Sequence, residues 1–171
     1  MNKTWMIALV TAALSVSTLF STASAQRSTI VDVAIAANEA TGEFSTLIGA
    51  VVAADLVDTL SGFRRYTVFA PTDAAFAALG LNAQNVALAP KGALRDILLY
   101  HVTPGKRFSG SVLGARFLRM ANGQFARVSV NDSGAFINQS QLLAPDLIDI
   151  EADNGVIHVI NAVMIPPSLL R

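Results

Sequence analysis

The sequence predicts an α+β domain, and three patterns carry that expectation. Apolar residues recur at helical steps of three and four early in the chain, at Phe44, Leu47, Ile48, Val51, Val52, Leu56 and Leu60. After Gly105 the period shortens to that of strands, broken by strong turn signals. One early strand, Tyr66 to Ala70, stands between the two halves. Helices crowding the first half and strands the second is the order of an α+β domain.

The beginning of the chain reads as a leader. Met1 to Thr4 carries one lysine, Trp5 to Leu14 is apolar, and Ala23-Ser24-Ala25 has the small-x-small form that precedes a signal-peptidase cut. Thr11, Ser15, Ser17 and Thr18 interrupt the apolar stretch, which falls short of the ~20 apolar residues of a membrane span. Residues 1–25 are therefore expected to be a cleaved signal peptide and 26–171 a single domain with no transmembrane segment. A domain of that length buries enough surface to do without disulfides, and the chain has no cysteine.

Composition narrows the partners. Lys3 leaves with the leader, so 11 basic side chains face 12 acidic ones in the expected mature chain. The basic residues are scattered in sequence, adjacent only at Arg64-Arg65 and Lys106-Arg107, which argues against nucleic acid or an anionic membrane. A hydrophobic fraction of 53% beside a charged fraction of 14% exceeds what one core needs. It predicts self-association, a partner surface or an apolar cavity.

Taken in order, Thr29 and Asp32 are spaced as a capping box for a short helix from Thr29 to Asn38. The stripe from Phe44 to Leu60 predicts the next helix, with a break near Ala53-Ala54 and a stop at Ser61-Gly62. Tyr66 to Ala70 is a strand that Pro71 stops, and Thr72 caps a helix from Asp73 to Leu79 that Gly80 ends. Asp73 then sits where the helix dipole favours a negative charge, and Phe76 takes the N4 place of a hydrophobic staple. A helical turn is expected within Leu81 to Pro90, and a helix from Leu94 to Val102, closed by Thr103-Pro104-Gly105. Ala115 to Met120, Phe125 to Val130 and Ala135 to Asn138 form a meander through Asn122-Gly123 and Asn131 to Gly134. Leu147 to Ile150, a turn at Ala152 to Gly155, and a strand from Val156 to Ile165 apolar on both faces complete the chain.

Three of these blocks, YTVFAPTDAAF at Tyr66 to Phe76, LLYHVTPG at Leu98 to Gly105 and NGVIHVINAVMIPP at Asn154 to Pro167, resemble the signature regions of the fasciclin (FAS1) domain family in order and spacing. The resemblance implies a wedge-shaped two-sheet β-sandwich with its helices concentrated in the N-terminal half. It implies a secreted protein, periplasmic, extracellular or at the cell surface, that acts as a non-enzymatic module of adhesion or matrix attachment through protein or glycan contact. A second implication is a carrier of a carotenoid or another apolar molecule, which the low charge and apolar second half accommodate. Asn161 stands where the family often has Asp, which removes a charge and keeps a hydrogen-bonding group.

The candidate site residues are few. His101 and His158 have no companions at metal-ligand spacing, and each is expected to be structural, using a ring N–H to tie an element end to a backbone carbonyl. No GxSxG, P-loop, GxGxxG or HExxH occurs, so no catalytic residue, metal or cofactor is expected. The resemblance carries the integrin-contacting Asp-Ile and Tyr-His positions of animal relatives onto Asp96, Ile97, Tyr100 and His101. The helical pattern itself places Ile97 and His101 toward the core and Asp96 and Tyr100 on a solvated surface. Thr72, Asp73 and Phe76 are expected to fix the strand-to-helix junction.

Overall fold

The computed structural model describes residues 27–143 and 148–170, so the expected leader and Leu147 lie outside the described residues. Helices α1 (Ile30–Thr41), α2 (Ser45–Ala53) and α3 (Val57–Ser61) come first. Strand β1 (Tyr66–Pro71), helix α4 (Asp73–Ala77), helix α5 (Lys91–Tyr100), strand β2 (Val102–Pro104) and helix α6 (Ser109–Leu113) follow. Strands β3 (Phe117–Arg119), β4 (Phe125–Asn131), β5 (Gly134–Ile137), β6 (Ser140–Gln141), β7 (Ile150–Ala152) and β8 (Gly155–Ile160) complete two four-stranded sheets.

The first sheet has the order β2-β1-β8-β7, and the second is the expected meander β3-β4-β5-β6. β1 and β8 run parallel over six paired residues, and every residue of both is buried. A parallel pair buried in this way needs cover on both faces. Val68, Ala70, Ile157 and Val159 pack with the helices, whereas Phe69 and Ile160 join Leu118, Ala126 and Ile137 between the sheets. The period-two alternation of a strand thus feeds two apolar cores at once.

Several expected boundaries move. The helix ending in Tyr100 gives way to β2, because the free edge of β1 takes a partner there, from Tyr66 opposite Pro104 to Val68 opposite Val102. Pro104 donates nothing, which an edge position tolerates. Helix α6 interrupts the stretch read as strands. The final strand stops at Ile160 rather than Ile165, since Asn161 turns to pair with Gln141 of the second sheet. β7 begins only at Ile150, and α4 ends two residues early at Ala77.

Helix starts show what sequence patterns reveal and conceal. Thr29 and Asp32 form the capping box of α1 as expected. The N-cap of α2 is Phe44, which has no polar atom to offer, and the Thr46 N–H donates instead to Asp73 Oδ1 at 2.8 Å. Asp73 therefore caps a neighbouring helix besides facing the dipole of its own. Thr72 accepts from the Ala75 N–H over 3.4 Å, a long bond. Thr72→Ala is accordingly expected to cost about 0.5–1 kcal/mol, and Asp73→Ala about 1–2 kcal/mol. Urea unfolding that ranked the two variants the other way would remove the capping role assigned to Asp73.

Candidate functional site

The two histidines sit where the signature blocks meet. His101 follows α5 and is buried; its Nδ1–H donates to the Ile97 carbonyl at 2.8 Å, and its Nε2 accepts from the Met164 N–H at 2.9 Å. His158, in β8 and stacked on Phe69, donates from Nε2 to the Arg107 carbonyl at 3.0 Å and accepts at Nδ1 from the Asp149 N–H at 3.2 Å. Each neutral ring has one donor and one acceptor, and the backbone uses both. Burial pushes the His101 pKa from 6.5 down to about 4 against the pull of the Ile97 carbonyl. Burial also lowers that of His158, opposed by the Arg107 carbonyl and the Asp149 charge. Neither ring keeps a free lone pair for base catalysis.

Asp149 gives this region the composition of a catalytic triad without its geometry. Its carboxylate accepts from both the N–H and the hydroxyl of Ser109, and lies 3.8 Å from His158 Nδ1. A triad places histidine between serine and acid, so that imidazole takes the hydroxyl proton. Here the acid stands between them. Its work is structural: the N-cap of α6 is Phe108, and Asp149 supplies the missing acceptor from across the fold.

The tetrad at the end of α5 is divided by the fold. Asp96 is half-buried, with oxygens accepting from Asn122 Nδ2 at 3.0 Å and Ser168 Oγ at 2.8 Å. Ile97 is also half-buried. Tyr100, expected on a solvated surface, is 1% exposed. Its hydroxyl donates to the Phe125 carbonyl at 3.0 Å and accepts from Asn138 Nδ2 at 2.9 Å. The helical pattern misplaces it because α5 touches both cores, Leu94 and Leu98 on the helical side and Tyr100 between the sheets. Asn161 is exposed, and its side-chain oxygen accepts from the Gln141 N–H at 2.9 Å, which ties the end of β8 to β6.

Asn154 is a residue that sequence patterns did not single out. It is buried in the β7–β8 turn; Oδ1 accepts from the Ile30 N–H at the start of α1, and Nδ2 donates to the Leu60 and Gly62 carbonyls at the end of α3. Its neighbour Gly155 marks a hairpin turn in the sequence, but nothing local shows that the amide before it clamps two helices.

One cleft has no polar lining. Val31, Ile35 and Ile48, together with Val52, Val57 and Leu60, surround a space of about 150 Å³ between α1 and α2–α3 that opens beside exposed Val52. A space of that size accepts a small apolar group such as a benzene-sized ring.

Known proteins share this architecture. A model of the fasciclin domain matches residues 42–166. Protein sll1483 of Synechocystis sp. is 44% identical over 141 residues, which cover 81% of this chain and 74% of that protein. Transforming growth factor-beta-induced protein ig-h3 of Sus scrofa is 38% identical over 125 residues, which cover 73% of this chain and 18% of that much longer protein. Among solved structures, a FAS1 domain pair from the insect cell adhesion molecule fasciclin I matches with a TM-score of 0.64 at 19% identity, over 82% of this chain and 52% of that one. The structural likeness carries the fold, the sequence matches carry descent, and together they show that the chain belongs to the fasciclin domain family.

Proposed function

We propose that this protein is a secreted, non-enzymatic binding module that attaches to a cell surface or matrix through protein or glycan contact. The observation that carries the proposal is the outer face of the second sheet. Phe117 and Phe125 stand there 59% and 62% exposed, beside a cleft that includes Ile165, Pro167 and Leu170. Apolar side chains grouped on a surface mark interaction sites more often than chance. The same surface offers self-association, which light scattering would register. Family membership and the cell adhesion molecule among the solved relatives support the same direction.

The test is attachment. Purified chain coated on a surface is expected to retain cells or matrix fragments in proportion to coating density, and the heat-unfolded chain is expected to retain less. No retention on any surface, together with a hydrolase activity lost in His158→Ala, would replace this function with catalysis.

A second proposal, carriage of an apolar molecule, has its support in the cleft between α1 and α2–α3. Its lining is free of polar residues, yet its volume of about 150 Å³ lies below the ~300–1,000 Å³ of drug-sized ligand pockets. It suits one ring or an alkyl end, and a whole carotenoid requires the helices to part. A stoichiometric visible chromophore in protein purified from its native source would favour carriage over attachment.

A further inference from the structure

The outer face of β3 and β4 is laid out as a checkerboard. Phe117 pairs with Arg127 and Arg119 with Phe125, so each phenyl ring has a cation opposite it and another two residues along its own strand. All four side chains are exposed, as is that of Arg116. Among the described residues none of these three arginines makes a side-chain hydrogen bond or an ion pair. No strand of this sheet contains Asp or Glu, and between residues 106 and 145 the only acid is Asp132, in the β4–β5 turn. A chain neutral overall thus carries a cationic second sheet. The scatter of arginines along the sequence hides it, because antiparallel pairing brings Arg119 and Arg127 together from either side of a hairpin.

Two clefts flank the checkerboard. Arg116, Phe117, Arg127 and Val128 line one of about 360 Å³. The other, about 570 Å³, runs past Phe117, Phe125 and Arg127 to Asn138, Gln139 and Ser140. Asn138 is held there by the Arg127 N–H and the Tyr100 hydroxyl and Ser140 is buried, so the exposed Gln139 amide is the uncharged group that can meet a ligand hydroxyl.

We propose that this face binds an acidic polysaccharide, a chain of uronate sugars. The inference rests on the binding-module function above and names its surface and ligand. Each uronate presents an apolar C–H face that packs on a phenyl ring and one carboxylate that an arginine receives in a two-point hydrogen bond. One ring beside one cation, repeated across two strands, matches one sugar face beside one carboxylate, repeated along the polymer. A nucleic acid, with its unbroken line of phosphates, calls for a continuous basic track instead.

The experiment uses the full chain and three immobilised probes: polygalacturonate, neutral dextran, and single-stranded poly(dT). The expected result is binding to polygalacturonate that weakens as sodium chloride rises from ~50 to ~500 mM, with no retention on dextran. Arg119→Gln/Arg127→Gln is expected to weaken binding about tenfold or more, and Phe117→Ala/Phe125→Ala to weaken it to a similar degree. Arg95→Gln, away from this face, is expected to bind as the unmodified chain does. All these positions except Arg95 lie on an exposed sheet face, and unchanged melting of the double variants shows that affinity, not folding, is read. If either double variant fails to fold, Arg116→Gln and Arg119→Gln, made singly, must each show a measurable loss. Undiminished binding by the variants, tighter binding to poly(dT), or no binding to polygalacturonate overturns the inference. Attachment that persists without polyuronate binding removes this ligand alone, whereas loss of both removes the binding module as well.

Discussion

Gly155→Ala is expected to destabilise the chain by more than about 4 kcal/mol, a size reserved for overpacking and similar failures. A Cβ at this position would overlap the Tyr66 carbonyl oxygen and the Ile30 Cδ1. The carbonyl is the obstacle that cannot yield cheaply. Tyr66 is the first residue of β1 and pairs in parallel with Gly155 itself, so moving its carbonyl separates the two strands that both cores are built on. Ile30 opens α1, and its buried side chain would have to turn toward the apolar cleft it lines, while its N–H stays on Asn154. The melting temperature should fall by about 10 °C or more, since 1 kcal/mol shifts a domain of this size by ~2–4 °C. Gly92→Ala provides the contrast: a Cβ there meets nothing within 4 Å, and the residue lies in α5. It should gain up to ~1 kcal/mol from helix propensity and melt a few degrees higher. Melting curves followed by circular dichroism decide both. A Gly155→Ala variant within ~2 °C of the unmodified chain would show that the β7–β8 turn can rearrange without disturbing β1.

What the sequence revealed of this fold was whatever is decided within a few residues. The Thr29 and Asp32 capping box, the Tyr66 strand stopped near Pro71 and the turns at Gly123 and Gly134 all depend on neighbours in the chain, and all are present. Gly123 and Gly134 both have positive φ, which is why those turns need glycine. The features that sequence patterns missed depend on distant residues. α2 and α6 begin at phenylalanines and take their caps from Asp73 and Asp149, 27 and 40 residues away. β2 is a strand only because β1 offers it an edge, and Tyr100 is buried only because a second core forms beyond the first. The Phe–Arg face follows the same rule: its residues are ordinary in sequence and distinctive only once β3 and β4 pair.

Acid is expected to loosen the fold well before its carboxylates are protonated. In the unfolded chain an imidazole gains its proton near pH 6.5, and in the folded chain His101 gains it only near about 4. Between those values the unfolded state binds the additional proton, so stability falls as pH falls. The His101 contribution is complete above about pH 6.5, is lost progressively below it and has levelled off below about pH 4. At ~1.4 kcal/mol for each unit of difference the loss is about 3 kcal/mol, and His158, also depressed by burial, adds in the same direction. Asp32 acts later, because the Thr29 hydrogen bonds hold its pKa below 3.8 and its contribution disappears only beneath that value. Losses above about pH 4.5 therefore belong to the histidines. The structural event is specific: a proton on His101 Nε2 would confront the Met164 N–H that this nitrogen accepts, and the segment after β8 would come free of α5. Urea unfolding at pH values from about 7.5 to 4.5 measures the slope. Ring nitrogen chemical shifts should show His101 protonated at Nδ1 alone throughout that range. A flat stability profile would mean that the folded chain takes up the same protons as the unfolded one, and the imidazole ties from His101 to Met164 and from His158 to Arg107 and Asp149 would have to be abandoned.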